Sequence, residues 1–144
     1  EYLAGKDVGE NVVVVGGGLS GCEIAYDLYL KGKKPTIVEM KDDLIAQKGV
    51  CMANSTYLRE FFALHKVPVY LETKVKAIED KALIATGKDG KDITLPADSV
   101  IMSVGYIPTP LVEEGKNVSL VGDCTGIGNL RSVIWKAYSV AMTL

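Results

Sequence analysis

The sequence predicts an α/β fold: a central parallel sheet with helices on one face and a small antiparallel meander. Three observations carry this. The run "VVVV" (12–15) is apolar on both faces, as a fully buried strand is; "SVIMSV" (99–104) reads as another such strand, and "PTIV" (35–38) as a short strand between them. Segments with helical spacing separate the first strands, and such alternation builds parallel sheets with right-handed crossovers. Residues 75–95 then change character, giving short strand candidates around the turn "GKDGKD".

The elements follow in order. Residues 12–15 form the first strand. Residues 19–31 form a helix, with Cys22, Ala25, Leu28 and Tyr29 on one face and Gly32 placed to end it. Residues 35–38 are the second strand. Residues 52–55 read as a polar turn rich in N-cap types. Residues 56–66 read as a second helix, with Leu58, Phe61, Phe62 and Leu64 supplying its apolar area. Residues 67–71 are the third strand. The meander takes 75–78, 82–86 and 92–95, and a buried strand follows at 99–104. Residues 117–121 read as one more apolar strand, running into Gly122-Asp123, and 129–144 as a closing amphipathic helix.

With 144 residues there is enough chain for one modest core. A net charge of −2 and 48% hydrophobic residues argue against a nucleic-acid surface. No apolar run approaches the roughly 20 residues that cross a bilayer, and "EYLAGKDVGE" has no basic start of a signal peptide. Cys22, Cys51 and Cys124 are odd in number and far apart, without metal-ligand spacing. They read as reduced thiols of a cytoplasmic protein. No metal site is expected. The single histidine, His65, ends the second helix and reads as a surface or capping residue.

The chemistry is concentrated in "VVVVGGGLSGCE". Gly16-x-Gly18-x-x-Gly21 lies after a strand and before a helix. Gly16 allows the tight turn, Gly18 lets a pyrophosphate approach the backbone, and Gly21 lets helix and strand pack closely. The helix N-terminus offers unpaired N–H groups to the phosphates. Glu39 ends the second strand at nearly the expected offset of about 20 residues, where an acid accepts hydrogen bonds from ribose hydroxyls and repels a 2′-phosphate. The sequence thus favours NAD(H) over NADP(H), with Lys41 the nearby feature that runs the other way. An apolar strand ending in Gly122-Asp123 can also set a carboxylate against a ribitol or ribose hydroxyl, or Asp123 can simply cap its own turn.

Together "VVVVGGGLSGCE", "IVEM", "IMSVGYIP" and "SLVGDC" resemble the two-dinucleotide-binding flavoproteins, in which an NAD(P)H domain is inserted into an FAD domain. Within them, the lead-in "YLAGKDVGENVVVVGGG" and the tail "GNLRSVIWKAYSVAMTL" resemble the C-terminal region of old yellow enzyme-like NADH:flavin oxidoreductases: 2,4-dienoyl-CoA reductase, 2-enoate reductase and trimethylamine dehydrogenase relatives. The resemblance implies a Rossmann-like FAD/NAD(P)-binding fold with a linker at 1–10, an NAD(H) domain at 11–107 and the return segment of an incomplete FAD domain at 108–144. It implies NAD(H) held by Gly16, Gly17, Gly18, Leu19, Ser20 and Gly21 at the pyrophosphate. Glu39 and Met40 would lie at the adenosine, and Gly105 and Tyr106 near the nicotinamide. Gly122 and Asp123 would serve FAD in the intact protein. FMN and an iron–sulfur cluster would belong to a further N-terminal part. The implied function is to pass hydride from NADH to FAD and onward to an activated C=C bond. The alternatives are a structural ADP-binding module and the NAD domain of a disulfide reductase or NADH oxidase. No acid–base or nucleophile constellation is present, so no catalytic residue is named. The expected partners are the nucleotide, the remainder of the polypeptide and, through the unpaired strand "VSLV", a second copy; neither nucleic acid nor membrane is expected.

Overall fold

In the computed structural model, residues 1–47 and 49–143 are described. The chain divides into two compact units, Glu1–Val104 and Gly105–Leu144.

The first unit has three layers. Its parallel sheet comprises β1 (Asn11–Val15), β2 (Lys34–Val38), β3 (Val69–Tyr70) and β7 (Ser99–Met102), in the order β3-β2-β1-β7. Register is continuous from Val12↔Pro35 to Val15↔Val38 on one side of β1 and from Val12↔Ser99 to Val15↔Met102 on the other. Pro35 sits in an inner strand because its missing donor faces β3, and β3 begins only opposite Ile37, whose N–H donates to Pro68 O.

The alternation of β1 divides the core. Val12 and Val14 pack with Cys22, Ala25 and Leu28 of α1 (Leu19–Leu30) and Leu58 and Phe62 of α2 (Met52–Leu64). Val13 and Val15 face the other way, onto Leu83, Ala85, Leu95 and Ala97. These belong to or follow the antiparallel meander β4 (Lys74–Ile78), β5 (Ala82–Thr86) and β6 (Asp92–Pro96). Helices therefore cover one face and the meander the other. Each buried valine contributes about 1.5–3 kcal/mol of transfer free energy, more than any local propensity in these elements.

Three elements differ most from the sequence reading. The strand expected as buried over 99–104 spans only Ser99–Met102 and is half-buried, with Met102 exposed, because it is an edge strand paired with β1 alone. α2 starts at Met52, so the polar residues 52–55 form its first turn; Ser55 is buried and returns its hydroxyl to Met52 O. β3 shrinks to two residues, because it pairs only along the edge of β2. His65 caps α2, its Nδ1 3.1 Å from Tyr29 Oη.

The second unit carries α3 (Leu130–Ala141), opened by a capping box in which Asn129 and Ser132 exchange hydrogen bonds. Residues 117–121, expected as a strand, form none; Gly115 and Val118 make a single isolated bridge there. An apolar sequence becomes a strand only beside another strand edge. The described residues of this unit contain no other strand, so the unit itself supplies none. Leu144, the last residue of the expected helix, lies outside the described residues.

Candidate functional site

The carboxyl ends of β1, β2 and β7 meet where the strand order changes direction, with β1 leading to β2 on one side and pairing with β7 on the other. Crevices at such switch points are where open α/β sheets take ligands. Here the crevice is built from bare backbone. Gly16 leaves β1 with φ +104°, and its N–H donates to Val38 O at 2.8 Å. A Cβ on Gly16 would collide with Ser103 O at the end of β7, and one on Gly21 would collide with Gly16 O. A helical glycine costs about 1 kcal/mol against alanine. That loss is small beside a backbone overlap, so packing decides the residue.

Gly18 is different. Its backbone is ordinary (φ −68°), and an added Cβ would meet only Gln47 Oε1, at 3.4 Å. Nothing in the fold's own packing demands glycine there. Gly18 is the N-cap of α1 and brings no side-chain cap, so the first-turn N–H groups of Leu19, Ser20 and Gly21 face outward without one. This end of α1 can hold an anion.

Glu39 is 7% exposed and is drawn into the turn itself. Its Oε2 accepts the Gly17 N–H at 2.5 Å, and its Oε1 accepts the Lys41 N–H at 2.8 Å. Each oxygen keeps a lone pair, so the carboxylate can still accept from a hydroxyl donor. Met40, next in the chain, is largely exposed. Gly16, Gly17, Gly18, Leu19, Ser20, Gly21, Glu39 and Met40 thus gather around one turn.

The loop 41–47 also belongs to this site and was missed in the sequence. Leu44 and Ile45 are buried, and the Ile45 N–H donates to Gly17 O at 2.7 Å. The available signal was an apolar pair inside the polar stretch "KDDLIAQ". Cys22 lies beneath, fully buried, with its Sγ 3.4 Å from Gly17 O; burial pushes its thiol up to about 12. It is an inert core residue.

Gly105, Tyr106, Gly122 and Asp123 belong to the second unit. Gly105 takes φ +103° with open space at its Cβ position, and Tyr106 is exposed. Gly122 (φ +84°) precedes a short 3₁₀ turn, Asp123–Thr125, and Asp123 Oδ1 accepts the Gly128 N–H at 3.2 Å. Asp123 is exposed. Among the described residues there is no cluster fit to hold a metal ion, and no helix long and apolar enough to cross a membrane.

Known proteins agree with this architecture. Cinnamate reductase of Clostridium sporogenes is 34% identical over 96% of this chain, and NADH oxidase of Thermoanaerobacter brockii is 33% identical over 98%. The chain spans 22% and 23% of those proteins. A structure of 2-naphthoyl-CoA reductase superposes with a TM-score of 0.82 over 99% of this chain and 22% of its own, at 22% identity, which is a likeness of fold. The profile described as pyridine nucleotide-disulphide oxidoreductase matches residues 1–122, so the chain belongs to that family of oxidoreductases.

Proposed function

We propose that this chain is the NADH-binding portion of a flavin-dependent oxidoreductase. The observation that carries the reading is the bare N-terminus of α1, capped only by Gly18, beside the buried carboxylate of Glu39. The pyrophosphate would lie on the N–H groups of Gly18, Leu19, Ser20 and Gly21, and Glu39 would accept from the adenosine ribose, with Met40 against the adenine. When bound, NADH supplies a hydride and FAD accepts it; the protein contributes orientation and electrostatics. Gly105 and Tyr106 would border the nicotinamide, and Asp123 would meet the flavin ribityl chain in the intact protein. The onward substrate would be an activated C=C of enoate or enoyl type, a reading supported by the likeness to cinnamate reductase.

One observation favours a second reading. The residues gathered at the turn would all serve the ADP half of a dinucleotide, which suits a structural ADP site equally well. Calorimetric titration of the 144-residue chain with NADH, NADPH and ADP separates the two. NADH binding best supports the hydride-donor platform. ADP binding as tightly as NADH leaves the nicotinamide half-site idle and supports the structural module.

A further inference from the structure

We infer that Arg59 is a positioning residue for this site, fastening the loop 41–47 onto the glycine turn; the inference rests on the nucleotide reading above. Arg59 projects from α2 as a fork. Its Nε donates to Asp43 Oδ1 at 3.2 Å and its Nη2 to Asp43 Oδ2 at 2.8 Å. Nη2 also donates to Leu44 O at 2.5 Å. Next in the chain, Ile45 adopts φ +51° while 4% exposed. A β-branched residue takes that left-handed conformation only where its surroundings over-determine it. Arg59 supplies those surroundings on one side, and the Gly17 carbonyl supplies them on the other.

The consequence lies in one peptide plane. Gly17 C=O and Gly18 N–H belong to the same trans peptide and point in opposite directions. The Ile45 N–H holds the carbonyl at 2.7 Å, joined by the Cys22 thiol at 3.4 Å, so the Gly18 N–H of the same plane is turned away from the loop. The preceding peptide is fixed separately, by Glu39 on the Gly17 N–H. The side chains of the loop close the turn from outside: a Cβ on Gly17 would lie 2.6 Å from Leu44 Cδ2. Arg59 hydrogen-bonds none of the glycines, yet it holds the segment that orients a phosphate donor.

The test uses the 144-residue chain carrying Arg59→Met, Arg59→Lys or Asp43→Asn, with two readouts: amide hydrogen exchange at Ile45 without nucleotide, and titration with ADP and NADH. In Arg59→Met, the Ile45 amide should exchange about tenfold faster or more while the β1 amides keep their protection. ADP and NADH should weaken together, by about fivefold, because the clamp acts on the pyrophosphate they share. Arg59→Lys should recover part of both losses, since an ammonium reaches one acceptor and cannot fork. Asp43→Asn, at an exposed carboxylate, should move both readouts the same way and carries the test if Arg59→Met fails to fold. Unchanged Ile45 exchange overturns the clamp. Faster exchange with unchanged affinities, or uniformly faster exchange through β1 and α1, overturns the positioning role. A wild-type chain that binds neither nucleotide overturns the functional reading itself, before any variant is made.

Discussion

Glu39 Oε2 lies 2.5 Å from the Gly17 nitrogen, so the acid that would read the ribose also holds the turn that would read the phosphates. Glu39→Ala therefore does two things. It strands the buried Gly17 donor, costing about 1–3 kcal/mol, and it removes the ribose acceptor. Urea unfolding should show the stability loss directly. Glu39→Gln is the cleaner probe of selectivity, because its remaining carbonyl oxygen can keep one of the two backbone donors. In competition titrations it should narrow the preference for NADH over NADPH with a smaller loss of stability than alanine gives.

The three motif glycines should separate under substitution. Gly16→Ala forces a Cβ onto Ser103 O at φ +104°, and Gly21→Ala forces one onto Gly16 O; each should cost about 2 kcal/mol or more in denaturant unfolding. Gly18→Ala meets only Gln47 Oε1 at 3.4 Å, so its unfolding midpoint should stay near wild type. Its Cβ stands where a phosphate would approach, however, and NADH affinity should fall about tenfold or more. Equal affinity in Gly18→Ala and wild type would place the nucleotide elsewhere.

Cys22 should make stability depend on alkaline pH. Its thiol is raised from 9.0 to about 12, chiefly by burial, with Glu39 adding to the shift. The folded state thus prefers the neutral thiol. The stability this represents is fully present below about pH 9 and is lost as pH rises toward about 12. Comparing urea midpoints of wild type and Cys22→Ala from neutral pH upward should show a steeper alkaline decline in wild type. Below that window, iodoacetamide should label the exposed Cys51 and leave Cys22 untouched until the chain unfolds.

The parts of the fold that were readable are those where one local rule suffices. The valine run of β1 is buried on both faces, and the glycine spacing fixes both the turn and the start of α1. The meander was readable from its turn and its short strand candidates. What escaped depends on distant partners. The stretch 117–121 has strand composition but no strand partner among the described residues of its own unit. The first turn of α2 looks polar, yet Ser55 is buried by tertiary packing. Arg59, Asp43 and Ile45 form a relation among a helix side chain, a loop carboxylate and a glycine carbonyl, and no periodicity encodes it. The glycines and Glu39 were legible as a set, but the direct bond between Glu39 and Gly17 was not. The spacing says that an acid belongs at the strand end, not that it faces inward.

The pairing of β1 with β7 carries a kinetic consequence. The hairpins β4-β5-β6 join neighbours in sequence, whereas Val15 pairs with Met102 across all the intervening strands and helices. Long-range parallel pairings form late, since loop-closure entropy must be overcome before they contribute. The crevice where Gly16 abuts Ser103 is bounded by that pairing. A refolding chain should therefore gain its meander before it can grip a nucleotide, and a ligand added during refolding would act on the last step of assembly.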